Sequence, residues 1–462
     1  MKSYSEYRWP LGNPRHKPFA HQVKTTEFLL ANKRAYVFSD LGTGKTLSAL
    51  WAADILIEMG HIRKVLIIAP LSTIQSVWGQ EIFYNFPHRY YAVAHGTREE
   101  RVRAIQSQAH CVIMNFDGIK ICYDELVAAK FDLIIVDELT AFKNAMSDRS
   151  KVMRRLAAKC PAVWGMTGLP IPNSPVEAYG QGKVVNPSSP CLPMYYGQFR
   201  DMVVTQLTMG VWVPKPNAEA IVYQALQPSI RYTRDECLDL PPVLHQYLDV
   251  PMTVEQNRLY TAMKRELYAQ YEAGEITAVN AGVLLMRLLQ ISAGAVTDTD
   301  GNICYCDSDG KIEAISETFE SLGRTKLIVV AAFVAVVERL NQVMTEKGVR
   351  CDYIHGGVSV QKRTEIIERF QHGDLQMLIL QPAATSHGIT LTASSTIVWH
   401  SLVASGEVYN QMNARITRAG QDKKQFVIHL ISSAAEKRLV RILEGKTNMA
   451  NEIMKLFADK EL

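Results

Sequence analysis

Two short motifs in this sequence carry side chains suited to binding and hydrolysing a nucleoside triphosphate. The first is the stretch SDLGTGKT, whose candidate nucleotide-binding residues are Gly42, Thr43, Gly44, Lys45 and Thr46. Backbone N–H groups of such a loop point at phosphates, and a side chain at either glycine would obstruct the approach. The lysine is expected to meet the outer phosphates, and the threonine hydroxyl that follows it to bind Mg²⁺. Ser39 stands where the strict Walker A pattern has its first glycine, so a chance Gly-Lys-Thr loop is the alternative.

The second motif is an acidic pair at the end of an apolar run, FDLIIVDE (131–138). A buried strand that ends in Asp137 and Glu138 delivers both carboxylates to the edge of a parallel sheet, where ligands of such folds gather. Asp137 would hold Mg²⁺, and Glu138 would orient and polarise the attacking water. Two solvent-facing acids at a strand end are the alternative, and the glycine loop earlier in the chain favours the catalytic interpretation.

A third candidate is the pair Arg415 and Arg418 in EVYNQMNARITRAGQ (407–421), which are three residues apart and share a helix face. Arginines can stabilise the charge that spreads over a transferred phosphoryl group. An ordinary exposed basic face is the alternative, and the pair taken alone favours that alternative over a catalytic role.

The elements that must position these side chains are short apolar runs that alternate with helix-period segments. Such runs are apolar on both faces, as parallel strands covered by helices must be. They occur in two groups, which predicts an α/β fold with two tandem, doubly wound parallel sheets. The predicted strands are AYVFS (35–39), KVLIIAP (64–70), HCVIMNF (110–116), FDLIIVDE (131–138) and AVWGMTG (162–168), followed by KLIVVAAF (326–333), RCDYIHG (350–356), QMLILQ (376–381), STIVWH (395–400) and QFVIHLI (425–431).

The proline distribution and the helical periodicity predict the domain organisation. We expect a first lobe over 1–238 with a proline-rich, loop-rich insertion at about 170–230, and a second lobe over 239–462 with a helical insertion at about 253–295. Hydrophobic residues at 47% and charged residues at 21% are typical of folded globular proteins. Because no apolar run approaches the roughly 18 residues of a membrane span and no signal peptide begins the chain, we expect a soluble, cytoplasmic protein with no membrane partner.

Together these motifs resemble the superfamily-two helicases, and within them the Swi/Snf-type branch of double-stranded DNA translocases. The resemblance covers about residues 17–445. The tail Lys143-Asn144 and the ending Gly420-Gln421 are particularly characteristic of that branch. The matching stretches are KPFAHQ (17–22), SDLGTGKT (39–46), APLSTIQSVWGQE (69–81), DELTAFKN (137–144), TGLPIPNSPVEAYG (167–180), IRYTRDECLDLPP (230–242), ATSHGITLTAS (384–394) and QMNARITRAGQ (411–421).

The resemblance implies two RecA-like lobes that hold ATP and Mg²⁺ between them and nucleic acid across their tops. Gln22 matches the branch's adenine-reading glutamine, and Gly388 lies in a motif of the second lobe that contacts the nucleotide. Arg415 and Arg418 would act on the transferred phosphoryl group. Contacts to the nucleic-acid backbone, which are also explained as ordinary polar groups of loops, are expected at Thr73, Gln75, Asn115, His355, Thr385 and Ser386.

The activity implied by the resemblance is a DNA-stimulated ATPase that moves along duplex DNA without separating its strands. We expect a minimal, monomeric motor of phage or bacterial type, with duplex DNA favoured over RNA as its partner. One alternative is an RNA or single-strand helicase. Another is a nucleotide-controlled switch that clamps DNA or a protein without travelling.

Overall fold

Each half of the chain folds around its own parallel sheet. The chain divides into two units, Met1–Asp239 and Leu240–Leu462. The computed structural model describes residues 7–9, 18–168, 170–171, 174–208, 211–237, 243–272, 278–297, 302–385, 391–416 and 424–444.

The described residues of the first unit form nine strands and eleven α-helices. The strands are β1 (Arg34–Val37), β2 (Val65–Ala69), β3 (Tyr91–Ala94), β4 (Cys111–Asn115), β5 (Leu133–Asp137), β6 (Ala162–Met166), β7 (Val204–Thr208), β8 (Val211–Pro214) and β9 (Ser229–Ile230). The α-helices are α1 (Ala20–Ala31), α2 (Lys45–Glu58), α3 (Gln80–Asn85), α4 (Arg98–Gln106), α5 (Gly118–Ile121), α6 (Tyr123–Ala128), α7 (Asp148–Ala157), α8 (Glu177–Val185), α9 (Tyr196–Val203), α10 (Ala218–Ala225) and α11 (Arg234–Cys237). A π-helical turn spans Ile74–Gly79 and a 3₁₀ turn spans Leu139–Phe142.

The first sheet has seven parallel strands in the order β3-β4-β2-β5-β6-β1-β9. Helices pack against both faces of this sheet. Alternate residues of a central strand therefore belong to different cores. In β2, Leu66 and Ile68 pack into one core, whereas Val65 and Ile67 pack into the other. In this order β6 lies between β1 and β5, so the loops that follow these three strands meet at one edge of the sheet.

The segment predicted as a loop-rich insertion at about 170–230 instead contributes regular elements to the first unit. It contains α8, α9, α10 and the antiparallel hairpin of β7 and β8, while Val184, Phe199 and Val222 pack into the unit's core. The expectation of a loop-rich spacer was wrong because most of its described prolines fall between elements. At those positions a missing N–H costs no helix or sheet hydrogen bond.

The second unit repeats the arrangement with a six-stranded parallel sheet. Its strands are β10 (Val243–Asp249), β11 (Ala295–Thr297), β12 (Ile303–Tyr305), β13 (Leu327–Val330), β14 (Cys351–Ile354), β15 (Met377–Leu380), β16 (Thr396–Trp399) and β17 (Gln425–Ile431). Its helices are α12 (Val254–Glu272), α13 (Ala278–Ala293), α14 (Asp309–Ser321), α15 (Val334–Glu346), α16 (Val360–Gln371), α17 (Pro382–Thr385), α18 (Gly406–Asn413) and α19 (Ala434–Leu443). The sheet order is β10-β17-β16-β13-β15-β14, and β11 and β12 form a separate antiparallel hairpin.

The predicted fold, two doubly wound parallel sheets in tandem, is confirmed, and each predicted run overlaps an observed strand. The expected helical region at 253–295 appears as α12 and α13. Among the described residues, the helices are all too short or too polar to cross a membrane.

Candidate functional site

The glycine-rich loop leaves β1 and enters α2, as the sequence predicts. Gly42 and Gly44 have φ angles of 85° and 77°, a region that other residues rarely adopt. The Lys45 ammonium donates hydrogen bonds to the carbonyl oxygens of Ser39 at 2.8 Å and Asp40 at 2.9 Å. The loop therefore curls around the lysine at the N-terminus of α2, where free N–H groups and the helix dipole favour an anion.

Helix α1 places Gln22 directly against this loop. A Cβ atom at Gly44 would overlap Nε2 of Gln22, so the close approach requires glycine there. The neighbouring His21 contacts the carbonyl oxygen of Thr43 through Nε2 at 2.8 Å, and the Thr26 hydroxyl donates to the Ser48 carbonyl at 3.1 Å. These contacts fix α1 on α2 and bring the predicted adenine-contacting side chain to the glycine loop.

The acidic pair lies at the end of β5, which is separated by β6 from β1, the strand that precedes the glycine loop. Oδ2 of Asp137 accepts a hydrogen bond from the indole N–H of Trp78 at 2.9 Å, and Oδ1 accepts the N–H of Glu138 at 3.2 Å. Burial raises the pKa of the Asp137 carboxyl above its ordinary value, while the Trp78 N–H and the positive charge of Lys45 partly oppose that rise. The interaction with Lys45 electrostatically connects the acidic pair with the glycine loop.

Glu138 adopts a backbone conformation that is rare for a residue with a side chain. Its φ and ψ angles are 53° and 62°, in the left-handed region. Such a conformation costs of order 1 to 3 kcal/mol and is enriched at active sites. It turns the chain from β5 into the 3₁₀ turn, and Gly165 on β6 leaves the room that Leu139 then fills.

Thr167, which follows β6, connects the two motifs. Its N–H donates to the Val37 carbonyl at the end of β1 at 3.1 Å, and its hydroxyl donates to Oε2 of Glu138 in a long hydrogen bond of 3.5 Å. Because β6 lies between β1 and β5, this residue can reach both neighbours. The three strand ends thus form one polar cluster containing a lysine, two carboxylates and several hydroxyl groups, and Thr46 is half-buried on the first turn of α2.

Trp78 is a site residue that the sequence reasoning did not single out. The residue is fully buried in the π-helical turn after β2, and its backbone N–H donates to the Thr73 carbonyl at 3.0 Å. A π-helical turn is rare and often occurs at a functional site. The signal available in the sequence was the tryptophan in the loop that follows β2, because β2 is the direct neighbour of β5 in the sheet.

The Trp78–Asp137 hydrogen bond gives a testable pH dependence. In Trp78→Phe the pKa of Asp137 should rise further, because a group that stabilises the carboxylate is lost. In its predicted role as a Mg²⁺ ligand Asp137 acts in the ionised form, so we expect activity to be lost as the pH falls through this pKa. The acidic limb of the pH profile of ATP turnover is therefore expected to move to higher pH in Trp78→Phe, because the carboxylate loses a hydrogen bond that favours its ionised form.

Trp164→Phe is the matched control for this experiment. Trp164 is also buried and donates its indole N–H, at 2.9 Å, but to the Asn32 carbonyl. Its substitution should leave the acidic limb in place. Coincident pH profiles for Trp78→Phe and the wild type would contradict the assignment of Asp137 as the titrating group.

The predicted nucleic-acid contacts of the first unit differ in their exposure. Gln75 is exposed on the π-helical turn. Thr73 and Asn115 are 5% and 7% exposed, and both have partners within the unit. The Thr73 hydroxyl donates to the Pro70 carbonyl at 3.0 Å, and the Asn115 side-chain oxygen accepts from Arg101 at 2.8 Å. Contact of these residues with nucleic acid stays a prediction.

In the second unit the structure describes part of the predicted set. Arg415 is 5% exposed just after α18, and its carbonyl accepts the N–H of Leu391 at 3.1 Å. His355 lies beyond β14, where Nε2 is 3.3 Å from a carboxylate oxygen of Glu338 and Nδ1 accepts the N–H of Gly357 at 3.0 Å. Thr385 is the last residue of α17. The remaining predicted residues lie outside the described part of the chain: Ser386, Gly388 and Arg418.

Comparisons with known proteins bear on both units. Residues 21–293 match the model of the SNF2-related domain, which is more than half of the chain. The chain belongs to the SNF2-related family. Residues 310–420 match the helicase conserved C-terminal domain, so this SNF2-related chain carries both parts of a superfamily-two helicase. It is an ATP hydrolase of the helicase and translocase class.

Individual relatives are distant in sequence. The putative protein p41 of Acyrthosiphon pisum secondary endosymbiont phage 1 is 25% identical, over 96% of the SNF2-related chain and 98% of its own length. The putative ATP-dependent helicase/translocase YwqA of Bacillus subtilis is 22% identical, over 91% of this chain but 46% of its own. A solved structure described as the Sulfolobus solfataricus SWI2/SNF2 ATPase core in complex with dsDNA aligns with a TM-score of 0.46 and 19% identity, over 98% of this chain and 96% of that one.

Proposed function

We propose that this chain couples ATP hydrolysis to movement along double-stranded DNA. The observation that carries the proposal is the polar cluster at the ends of β1, β6 and β5, where Thr167 reaches both Val37 and Glu138. Membership of the SNF2-related family and the translocase name of the Bacillus subtilis relative support the motor activity. The tail Lys143-Asn144 and the Gly420-Gln421 ending support duplex DNA as the track.

For the nucleotide, we assign one role to each side chain of the cluster. Lys45 binds the outer phosphates, which requires its ammonium to turn from the carbonyl oxygens of Ser39 and Asp40 toward the phosphate oxygens. Gln22 contacts the adenine, since it already lies against the loop at Gly44. Glu138 orients the attacking water and accepts its proton, while Thr167 holds the carboxylate in place.

The cluster also contains the ligands that Mg²⁺ prefers. A carboxylate and a hydroxyl group are hard oxygen donors, and Asp137 and Thr46 provide one each. When bound, Mg²⁺ supplies charge neutralisation on the phosphate oxygens. Trp78 fixes the orientation of the Asp137 carboxylate and keeps it ionised at a higher fraction than burial alone would allow.

We assign the two arginines of the second unit to the phosphoryl group in transfer. A guanidinium group can stabilise the charge on its oxygens, and delivery from a second unit makes hydrolysis depend on closure of the two units. DNA contacts would then differ between the closed and open states, and cycles of hydrolysis would shift the units along the backbone. Contacts to phosphates suit this task because a motor must not stall on particular sequences.

The test measures ATP turnover with duplex DNA, single-stranded DNA and RNA at several salt concentrations. We expect duplex DNA to stimulate most strongly, and the affinity for DNA to weaken as salt rises, as phosphate contacts require. Movement is measured by displacement of a third strand from a triplex, with ATP and with a non-hydrolysable analogue. We expect the third strand to be displaced with ATP but not with the non-hydrolysable analogue.

Three outcomes would contradict the proposal. Equal ATP turnover with and without duplex DNA would show that hydrolysis is not coupled to DNA. Stronger stimulation by RNA, together with displacement of an annealed strand, would indicate an RNA or single-strand helicase. ATP-dependent DNA binding without triplex displacement would indicate a switch that does not travel.

A further inference from the structure

The chain segment that leads into the second unit runs beside the glycine-rich loop. Strand β9 pairs with β1, and the hydrogen bonding continues beyond the two strands. The N–H of Phe38 donates to the Ile230 carbonyl at 2.9 Å, and the N–H of Asp40 donates to the Tyr232 carbonyl at 2.9 Å. The first residue of the second unit, Leu240, follows only eight positions after Tyr232. The first half of the loop is thus paired with a segment of the first unit that precedes the second unit in the chain.

Ser39 adds a side-chain hydrogen bond to this pairing. Its hydroxyl oxygen accepts the N–H of Tyr232 at 3.1 Å, and the residue is 2% exposed. A glycine, which the strict Walker A pattern has at this position, would offer no acceptor. The serine at this position therefore adds a hydrogen bond that glycine could not make, to a residue 193 positions away along the chain.

The peptide group between Ser39 and Asp40 makes hydrogen bonds through both its carbonyl oxygen and its N–H. The carbonyl of Ser39 accepts the Lys45 ammonium at 2.8 Å, while the N–H of Asp40, which belongs to the same peptide group, donates to Tyr232. Hydrogen bonds at opposite ends of a peptide group polarise each other. A change in the position of Lys45 therefore changes the strength of the bond to Tyr232.

A second contact links Tyr232 to the far side of the loop. Its ring lies 5.8 Å from the ring of His21, measured between centroids, and His21 contacts the Thr43 carbonyl at 2.8 Å. Arg231 adds a charge contact, because its guanidinium is 4.0 Å from a carboxylate oxygen of Asp40. The segment 230–237 therefore contacts the loop directly before its first glycine, at Ser39 and Asp40, and indirectly after it, through His21.

We propose that Ser39 is a positioning residue that couples the nucleotide state of the loop to the segment 230–237, and through it to the second unit. When Lys45 leaves the Ser39 and Asp40 carbonyls for a phosphate, the peptide group between them changes its hydrogen bonding. Ser39 and Asp40 pass that change to Tyr232. The coupling requires ATP binding and hydrolysis but not a DNA track, so it goes beyond the proposed translocase activity.

The test is amide hydrogen exchange of the segment 228–237, with and without ATPγS and Mg²⁺. In the wild type, exchange is expected to differ between the two states by about threefold or more, the equivalent of a modest change in one hydrogen bond. In Ser39→Ala the difference should shrink, because the Tyr232 N–H loses its acceptor while the backbone bond from Asp40 to Tyr232 remains, and Ser39→Thr, which keeps the hydroxyl, should restore it. Ser150→Ala is the matched control, since Ser150 is fully buried in the same unit with its hydroxyl on the Phe142 carbonyl at 3.2 Å.

Steady-state kinetics supply the second readout. Ser39→Ala should lower kcat by about threefold to tenfold, as expected for the loss of one hydrogen bond, while the KM for ATP stays within about twofold. A wild-type segment whose exchange does not change with the nucleotide would overturn the coupling, and so would a nucleotide-dependent difference that is as large in Ser39→Ala as in the wild type. Failure of DNA stimulation would affect the translocase proposal alone, because neither measurement contains DNA.

Discussion

Lys45→Ala is expected to lower kcat/KM for ATP by about 10³-fold, because the loop then lacks its only lysine at the N-terminus of α2. A charge-assisted hydrogen bond to a phosphate is strong in a partly buried site, and the backbone N–H groups of the loop do not replace the lost charge. Radiolabelled or fluorescent ATP measures binding, and phosphate release measures turnover. Both should fall.

Lys64→Ala provides the matched control, because Lys64 has a similar structural role away from the cluster. Its ammonium donates to the carbonyl oxygens of Ile105 at 2.6 Å and Ser107 at 3.2 Å, as that of Lys45 does to Ser39 and Asp40. Each variant loses two hydrogen bonds to the backbone, about 1 to 3 kcal/mol of unfolding free energy. We expect similar changes in thermal stability and a loss of turnover in Lys45→Ala alone. Turnover in Lys45→Ala within about tenfold of the wild type would contradict the phosphate-binding role.

The central strands were predictable because burial on both faces requires a continuous run of apolar residues in the sequence. Runs such as that of β2 are apolar at every position, since Val65 and Leu66 pack into different cores. Two of the strands at the sheet edges, β3 and β10, leave a weaker trace in the sequence. β3 is mostly half-buried, and β10 is exposed along nearly its whole length, so neither stands out as a continuous apolar run. Both were missed for this physical reason.

The residues of the candidate site also differ in how well the sequence predicts them. Lys45, Asp137 and Glu138 belong to short motifs at the ends of predictable strands, and the structure brings the loop and the acidic pair together through Thr167. Trp78 and Tyr232 act through contacts between residues that are 59 and 193 positions apart. No local spacing rule encodes such contacts, because they depend on which strands become neighbours in the folded sheet.

Glu138→Gln is expected to bind ATP with nearly wild-type affinity and to lose hydrolysis by about 10³-fold, within the range for removal of a general base. The amide matches the carboxylate in size, so the side chain can remain near Thr167 and the backbone can keep its φ angle of 53°. The amide cannot accept the proton of the attacking water. Nucleotide should therefore stay bound, and the protein should accumulate in its ATP state, which single-turnover and ATP-retention measurements detect.

Glu125→Gln makes the same chemical change at a carboxylate that pairs with Arg98 on the helical surface of the first unit. This pair joins α4 to α6, which are not among the elements that hold the cluster, so turnover should stay within about twofold of the wild type. Glu138 is held in a strained left-handed conformation of a kind that is enriched at active sites. Wild-type turnover in Glu138→Gln would assign water activation to another group and would leave that strained conformation as a purely structural turn.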